Sequence, residues 1–460
     1  MRDDPLLSTL QKAAGRRLPR RLLVIGGFSQ DLAEGLGAEA TSRLHLAAFD
    51  ADSPLHAGSW DAVLWRLPAH WSQLELERLR DLPAPRGRIF LVVQSRERRR
   101  LVLELSGLGF AILEAHSVGL PTATDGVSVL VARGDEYLVR SYREGDETSI
   151  LDLFAPAFHT SRSLDHWRWK FLDNPYGGRR ITLATTGDGR LAAHYAGYPA
   201  LFTEAHDGHL VDIPVLQIGD TMTDPAFRAH GRGPTSLLGR SVRHFYAAYC
   251  ENAVGFNYGV NTGNIQRFSL RFVGAERVEE IPFRRRDGSP PATTGHYAVA
   301  RRHSVDGAFD RLFRRAAPAY GALLRRDQIA LRWRYLDCPD RPGFVLLAAR
   351  RWRRLVAWAV FRRVGDELRW VDALTTPRHA GAAADLLAAA LHLPEHAGVE
   401  EVTAWFPDRP AWWHRQVEAL GLVRAPEPDD LALMTVPHQR PDAADRLRHA
   451  YYTRGDSDLA

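Results

Sequence analysis

The chain has 460 residues, enough for two to four domains that each bury a core. Its 45% hydrophobic and 25% charged residues are those of an ordinary soluble globular protein, and no stretch approaches the roughly 18 apolar residues that cross a bilayer. The net charge is +5, yet Lys12 and Lys170 are the only lysines, and uniform Arg with abundant Ala, Gly and Pro reads as the bias of a GC-rich, bacterial-like genome rather than a nucleic-acid site.

The opening residues, MRDDPLLSTLQKAAGRRLPR, hold one short helical pattern and no apolar signal region, so a cytoplasmic location is expected. Strands are then expected at Arg21–Gly27, Leu44–Phe49, Trp60–Trp65, Gly87–Val93, Ala111–Glu114 and Gly126–Ala132. Helices fall between them at Asp31–Ala40, Ser72–Leu82 and Glu97–Leu108. Continuous apolar strands alternating with helices imply a parallel, doubly wound sheet covered on both faces. Residues 1–136 resemble a class I methyltransferase: Gly26-Gly27 after the first strand, Asp50 or Asp52 after the second, and Asp61-Ala62-Val63-Leu64 in the third. The glycine loop is reduced to two residues and the segment before Trp60 is short. The resemblance therefore implies a degenerate Rossmann-like domain, structural or substrate-presenting, with S-adenosylmethionine unlikely as a ligand and cofactor binding kept as the alternative.

From Tyr137 the pattern changes. A strand at Tyr137–Ser141, a helix over Ser149–Phe154 and an aromatic helix, His166-Trp167-Arg168-Trp169-Lys170-Phe171, end at an Asn174-Pro175 turn. Two strand pairs turn at Gly187-Asp188-Gly189 and near Asp207. The strand Val215–Thr223 then runs into Arg228-Ala229-His230-Gly231-Arg232-Gly233 and a helix, Thr235–Tyr249. An R-x-x-G-x-G loop entering a helix turns unpaired N–H groups and the positive end of the helix dipole toward one point, which makes an anion pocket. A strand Ala253–Val260, a helix Asn261–Phe272 and a strand Glu276–Arg284 follow. Residues 287–294 are a linker by composition.

The remainder repeats this unit. Trp169-Lys170-Phe171-Leu172-Asp173-Asn174-Pro175 recurs as Trp333-Arg334-Tyr335-Leu336-Asp337-Cys338-Pro339. Asp220-Thr221-Met222-Thr223-Asp224-Pro225 recurs as Asp372-Ala373-Leu374-Thr375-Thr376-Pro377, and Arg378-His379-Ala380-Gly381-Ala382-Ala383 repeats the loop. A helix Ala384–Leu393 and a strand Asp430–Thr435 complete it.

The paired loops, each after a matched strand, resemble the GNAT superfamily of N-acetyltransferases over residues 137–437. The expected architecture is α/β: a Rossmann-like sheet over 1–136, GNAT α+β domains over 137–286 and 295–438 in tandem, a linker at 287–294, and a tail at 439–460. The resemblance implies an acyltransferase that takes acetyl-CoA or another acyl-CoA as co-substrate and a small-molecule, sugar or peptide amine as acceptor. It implies pyrophosphate binding by Arg228, Ala229, His230, Gly231, Arg232 and Gly233, an oxyanion donor at Met222 or Thr223, and coenzyme contacts from Asn261 and Asn264. Read as plain residues, those two asparagines are candidate helix N-caps. Asp220 is the first candidate for the base and Tyr258 the second. Because Asp372 matches Asp220, a structural role for both aspartates is an equal alternative. The first copy is expected to be catalytic and the second to shape the acceptor cleft, with Trp167, Trp169 and Trp333 either core or pocket lining.

Cys250 and Cys338 are too few for a disulfide framework, and the His206–His209 cluster reads as a hairpin tip, so no metal is expected. The competing readings are an aminoacyl transferase of the tandem kind, a methyltransferase working through the first domain, and a non-catalytic binding protein.

Overall fold

The computed structural model describes residues 5–14, 22–25, 45–47, 60–80, 82–118, 126–339 and 343–459. The expected Gly26-Gly27 loop, the helix Asp31–Ala40 and Asp50 and Asp52 lie outside the described residues. The chain divides into two compact units. One comprises Met1–Ala157, Ile181–Tyr195 and Met222–Ala248, and the other comprises Phe158–Arg180, Ala196–Thr221 and Tyr249–Ala460.

In the first unit, β1 (Leu22–Ile25), β2 (His45–Ala47), β3 (Trp60–Arg66), β4 (Pro83–Gln94), β5 (Phe110–Val118) and β6 (Val127–Gly134) form one sheet in the order β2-β1-β3-β4-β6-β5. The first four strands are parallel, as the alternation with helices implies. β6 and β5 close the sheet antiparallel. Alternate side chains face two cores. Leu23, Ile25, Val63 and Trp65 pack with Leu76, Leu79 and Leu101 of helices Gln73–Leu79 and Arg98–Gly107. Val24, Leu64, Phe90 and Val92 pack with Leu6 and Leu10 of helix Pro5–Ala14. Ser72 starts its helix with a capping box, its hydroxyl accepting from the Glu75 N–H.

The same unit holds β7 (Leu138–Ser141), β8 (Ile181–Thr185), the first five residues of β9 (Leu191–His206), the last two of β10 (His209–Thr223), and the helix Leu237–Phe245. That helix is tied to the strands behind it. Arg240 is buried, donates to the Tyr137 carbonyl (3.0 Å) and pairs with Asp135 (3.2 Å), while Arg243 donates to the Ile112 carbonyl. Arg99 reaches the Ala247 and Ala248 carbonyls just past the helix end. These charge-assisted bonds satisfy the last carbonyls where the helix runs into a short π turn, Tyr246–Cys250.

In the second unit, β9 and β10 continue and β11 (Phe256–Asn261), β12 (Glu276–Glu280), β13 (Phe283–Asp287), β14 (Ala298–Arg301), β15 (Ala322–Leu324), β16 (Phe344–Arg351), β17 (Arg354–Val364), β18 (Glu367–Thr375), β19 (Glu401–Trp405), β20 (Val423–Arg424) and β21 (Ala432–Pro437) build two sheets. One has the order β9-β10-β11-β21-β12, and the other β14-β16-β17-β18-β19-β13-β20. The repeat is visible in both. β10 pairs with β11 in parallel over Val215–Gln217 and Phe256–Tyr258 and then runs on. β18 pairs with β19 in parallel over Glu367–Trp370 and Glu401–Ala404 and also runs on. Each parallel pair therefore opens like a V.

The closing strands differ from the expected arrangement. Glu276–Arg284 was expected to close the first copy and Asp430–Thr435 the second. Instead β21 inserts between β11 and β12, and β13 inserts between β19 and β20. The two copies exchange these strands, which a pattern of local apolar alternation cannot reveal. An element unmarked in the sequence reading, the helix Gly307–Tyr320, lays Phe309, Leu312, Phe313 and Ala316 on the second sheet, and Asp306 caps it.

The buried imidazole of His244 gives a measurable consequence. It lies 3.2 Å from the Thr182 hydroxyl, and burial pushes its pKa down to about 4. The unfolded chain binds a proton at its ordinary value near 6.5, so the stability this ring confers is present above that pH and is lost as pH falls toward 4. Between pH 7 and pH 5 the loss amounts to about 2 kcal/mol. Thermal melts should show a drop in Tm over that interval, and His244→Asn should flatten that pH dependence relative to the parent.

Candidate functional site

The R-x-x-G-x-G loop lies in the first unit. Asp224 ends the strand and accepts from the Ala226 N–H (2.8 Å), and Arg190 pairs with the same carboxylate. A 3-10 turn, Pro225–Phe227, leads into the loop. Gly231 (φ +70°) and Gly233 (φ +53°) both take the left-handed conformation. A Cβ on Gly231 would run into the Thr235 carbonyl, so the turn demands glycine there. Ser236 caps the helix that follows and accepts from the Gly239 N–H (3.1 Å). The loop spends some donors internally, with His230 N–H on the Phe227 carbonyl and Arg232 N–H on the Thr235 hydroxyl. The N–H groups of Ala229, Gly231 and Gly233 carry no hydrogen bond among the described residues. Arg228, His230 and Arg232 are exposed around them, His230 resting edge-on against Tyr137 at 5.1 Å. Exposed donors, two guanidinium groups and a helix N-terminus together suit a phosphate or pyrophosphate.

The second loop, R-x-x-G-x-A, keeps the arginine and the glycine but takes a different shape. Gly381 is in the right-handed helical region, and Pro377–His379 runs almost directly into helix Ala382–Leu391. The Ala383 and Ala384 N–H groups are already bonded to the Ala380 and Gly381 carbonyls (3.0 and 3.1 Å). The linker residue Thr294 lies over the helix start. It donates its N–H (3.1 Å) and hydroxyl (2.7 Å) to the buried Asp385, and its methyl lies where a Gly381 Cβ would touch.

Asp220 and Tyr258 lie in the second unit. Asp220 takes φ +53°, a conformation that Asp tolerates better than most residues, and it kinks β10 where β10 leaves β11. Its carboxylate is buried and held by Lys170 Nζ at 3.0 Å and by Arg162. Lys170 also meets Asp458 at 3.1 Å. Tyr258 is buried, and burial first and the Tyr198 hydroxyl next push its pKa well above the ordinary phenol value. Between them Gln217 joins both tyrosines to the carboxyl-terminal segment. Its amide donates to the Tyr258 hydroxyl (3.3 Å) and the Asp456 carbonyl (2.9 Å), and it accepts from the Asp458 N–H (2.7 Å). A cavity of about 60 Å³ lies here, lined by Tyr198, Gln217, Tyr258, Trp333, Asp372 and Asp456, with room for a few waters. Asn261 ends β11 opposite Ala432, and the exposed Asn264 accepts from Arg267; neither caps the following helix, whose N-cap is Thr262.

Asp372, the match of Asp220, is held the same way. Arg326 Nε (3.0 Å), the Tyr335 hydroxyl (2.9 Å) and the Thr453 hydroxyl (3.0 Å) all donate to it. Arg326 also clamps Asp456, whose pKa burial raises to about 6 against the opposing pull of Arg326. The sequence reading missed Arg162, Lys170, Arg326, Asp456 and Asp458. The signal was present: Arg162 precedes Arg326 by the same 164 residues that separate Trp169 from Trp333. The Arg454-Gly455-Asp456-Ser457 run packs against the core. Arg454 covers the Trp405 ring at 4.4 Å, and Gly455 packs where a side chain would strike the Tyr335 hydroxyl.

Among the described residues no three His, Cys, Asp or Glu side chains gather as a metal site, and no helix is long and apolar enough to cross a membrane.

No protein-family model matches the chain, and no curated protein matches it. It is similar in structure to a GCN5-related N-acetyltransferase from Kribbella flavida, with 16% identity, 67% of this chain and 73% of that one covered, and a TM-score of 0.47. A GCN5-related N-acetyltransferase from Anabaena variabilis is similar at 13% identity over 65% and 72% of the two chains, with a TM-score of 0.47. An N-myristoyltransferase from Saccharomyces cerevisiae with bound myristoyl-CoA is similar at 9% identity over 71% and 84%, with a TM-score of 0.45.

The two roles open to Asp220 separate by measurement. As the anion of a buried ion cluster, its replacement removes the carboxylate that Arg162 and Lys170 share, a loss of about 3 kcal/mol. Asp220→Asn should then lower Tm by several degrees. A variant that melts with the parent yet is inactive would make Asp220 a base and nothing more.

Proposed function

We propose that the protein is an acyl-CoA-dependent N-acyltransferase of the GNAT kind. One observation carries the reading: the glycine loop of the first unit, whose left-handed Gly231 and Gly233 leave the Ala229, Gly231 and Gly233 N–H groups free at the start of a capped helix. The donor's pyrophosphate would take these N–H groups, with Arg228 and Arg232 adding charge. The strand leading into the loop carries Met222 and Thr223, whose N–H would receive the thioester oxygen as it becomes an oxyanion. The amine nitrogen attacks the carbonyl carbon, the C–S bond breaks, and the amine proton passes to Asp220 or a water relay. Burial raises the pKa of Tyr258, so it keeps its proton at neutral pH and would serve as a hydrogen-bond donor rather than as the base, which leaves Asp220 or water for that role. Asn261 and Asn264 would contact the coenzyme arm. Acetyl is the proposed acyl group and a small-molecule, sugar or peptide amine the acceptor. The first copy would bind the donor, because the second loop spends its N–H groups internally and lies under Thr294. The protein is proposed to act in the cytoplasm.

A second reading rests on the ion cluster. Asp220 is bound to two cations, as a structural anion would be, which favours an acyl-CoA-binding protein without turnover.

Thermal shift against acetyl-CoA, longer acyl-CoAs and S-adenosylmethionine tests the choice. At a hundred times its Kd, acetyl-CoA should stabilise the chain by about 2.7 kcal/mol. Gly231→Asp/Gly233→Asp should abolish that shift, whereas Gly381→Asp should keep it. Stabilisation by S-adenosylmethionine alone would overturn the proposal. Binding of acetyl-CoA without thiol release in the presence of amines would select the second reading.

A further inference from the structure

The hairpin joining β16 to β17 is Arg350-Arg351-Trp352-Arg353-Arg354, with Arg351 paired to Arg354 across a two-residue turn. Trp352 stands at its tip with 91% of its surface exposed, the most open large apolar side chain among the described residues. Its φ is +56°, at a turn position where glycine is the usual occupant. An indole is unfavourable there twice over, as exposed apolar surface and as a left-handed bulky residue.

The surroundings are cationic. Arg315 of helix Gly307–Tyr320 donates to the Leu355 carbonyl at the root of the hairpin, and partial burial, then Arg354 and Arg311, weigh against its charge. Arg351, Arg378, Arg315 and Arg354 together act on His379. Arg311, Arg315, Arg351, Arg353, Arg354 and Arg378 have no ion pair among the described residues. The carboxylate that shares this neighbourhood, near Tyr297, is Asp385, buried and bonded to Thr294. Elsewhere in the same unit exposed arginines do find acids, as Arg301 does with Glu395 and Arg285 with Glu401.

We propose that this hairpin tip and the arginines around it dock the protein on an anionic lipid surface, with the Trp352 ring seated among the headgroups. A convex tip carrying one large amphipathic ring amid unpaired guanidinium groups suits a flat interface, where Trp is favoured and each cation gains from the surface potential. A single-stranded nucleic acid calls instead for a groove with several stacking rings, and this tip offers one ring and no groove.

The full chain should co-sediment with vesicles of phosphatidylcholine containing roughly one-third phosphatidylglycerol and not with phosphatidylcholine alone, and binding should weaken as salt rises. Trp352→Gly removes the ring and suits the turn, so it should hold or raise Tm while reducing vesicle binding severalfold. Arg351→Ser/Arg353→Ser should reduce binding about fivefold per charge at unchanged Tm. Equal sedimentation with neutral vesicles, or variants that bind anionic vesicles like the parent, would overturn the proposal. So would tighter binding to a single-stranded oligonucleotide than to vesicles, lost in both variants, which would reassign the face to nucleic acid.

Discussion

The second unit is organised about a reciprocal contact between two tryptophans. Trp169 and Trp333 stack at 5.0 Å, and each indole N–H donates to the other's backbone carbonyl, at 2.8 and 3.1 Å. A residue pair that exchanges identical bonds lies near a local two-fold rotation axis, so this contact relates the two copies of the repeat by an approximate half-turn. Several elements around it come in twos. Arg162 and Arg326 precede the two tryptophans by the same spacing and hold Asp220 and Asp372. Ser163 caps the helix that carries Trp169, and Asp327 caps the short helix Gln328–Leu331 that runs into the π turn carrying Trp333. The exchange of β13 and β21 follows the same logic, since each strand leaves its own copy to close the other.

An opened parallel pair leaves backbone groups and apolar surface that must be covered, and the carboxyl-terminal segment does this for both copies. Tyr451 donates to the Ala373 carbonyl, Thr453 and Arg326 hold Asp372, and residues 456–458 meet Gln217 on β10 and Lys170 on the helix Leu164–Phe171. The cluster alternates in sign, so each buried charge has a partner of opposite sign nearby. That alternation lets so many ionised groups sit in a dry interior, where an isolated charge is strongly disfavoured.

The sequence was legible where its signals are local. Apolar strands alternating with helices foretold the parallel part of the first sheet, and the Asp207-Gly208 turn is the exposed hairpin tip the pattern suggested, with both residues at positive φ. Gly231 and Gly233 of the first loop take the left-handed conformation, a local need that the spacing of glycines in R-x-x-G-x-G accommodates. Strand exchange and the buried carboxyl-terminal segment were not legible, because both depend on partners more than a hundred residues away. Asp456 and Arg326 look like ordinary surface residues until the fold closes a sequence separation of 130 positions. The repeat could have exposed them, had it been followed upstream of the tryptophans to Arg162.

The two loops show that a duplicated motif need not take one shape. Each keeps an arginine and a glycine at matching places, yet Gly231 is left-handed and Gly381 is in the right-handed helical region. In the first loop the residue after Gly231 is Arg232, extended at φ −139°, and Gly233 turns left-handed again, so successive N–H groups are not absorbed into a helix. In the second, alanines follow Gly381, and alanine favours the helix so strongly that the turn is taken up into it and the donors close on carbonyls one turn back. Thr294 and Asp385 then occupy the end that remains. The residues after the motif glycine, Arg232-Gly233 in one loop and Ala382-Ala383 in the other, thus go with N–H groups left open in the first and taken up by a helix in the second.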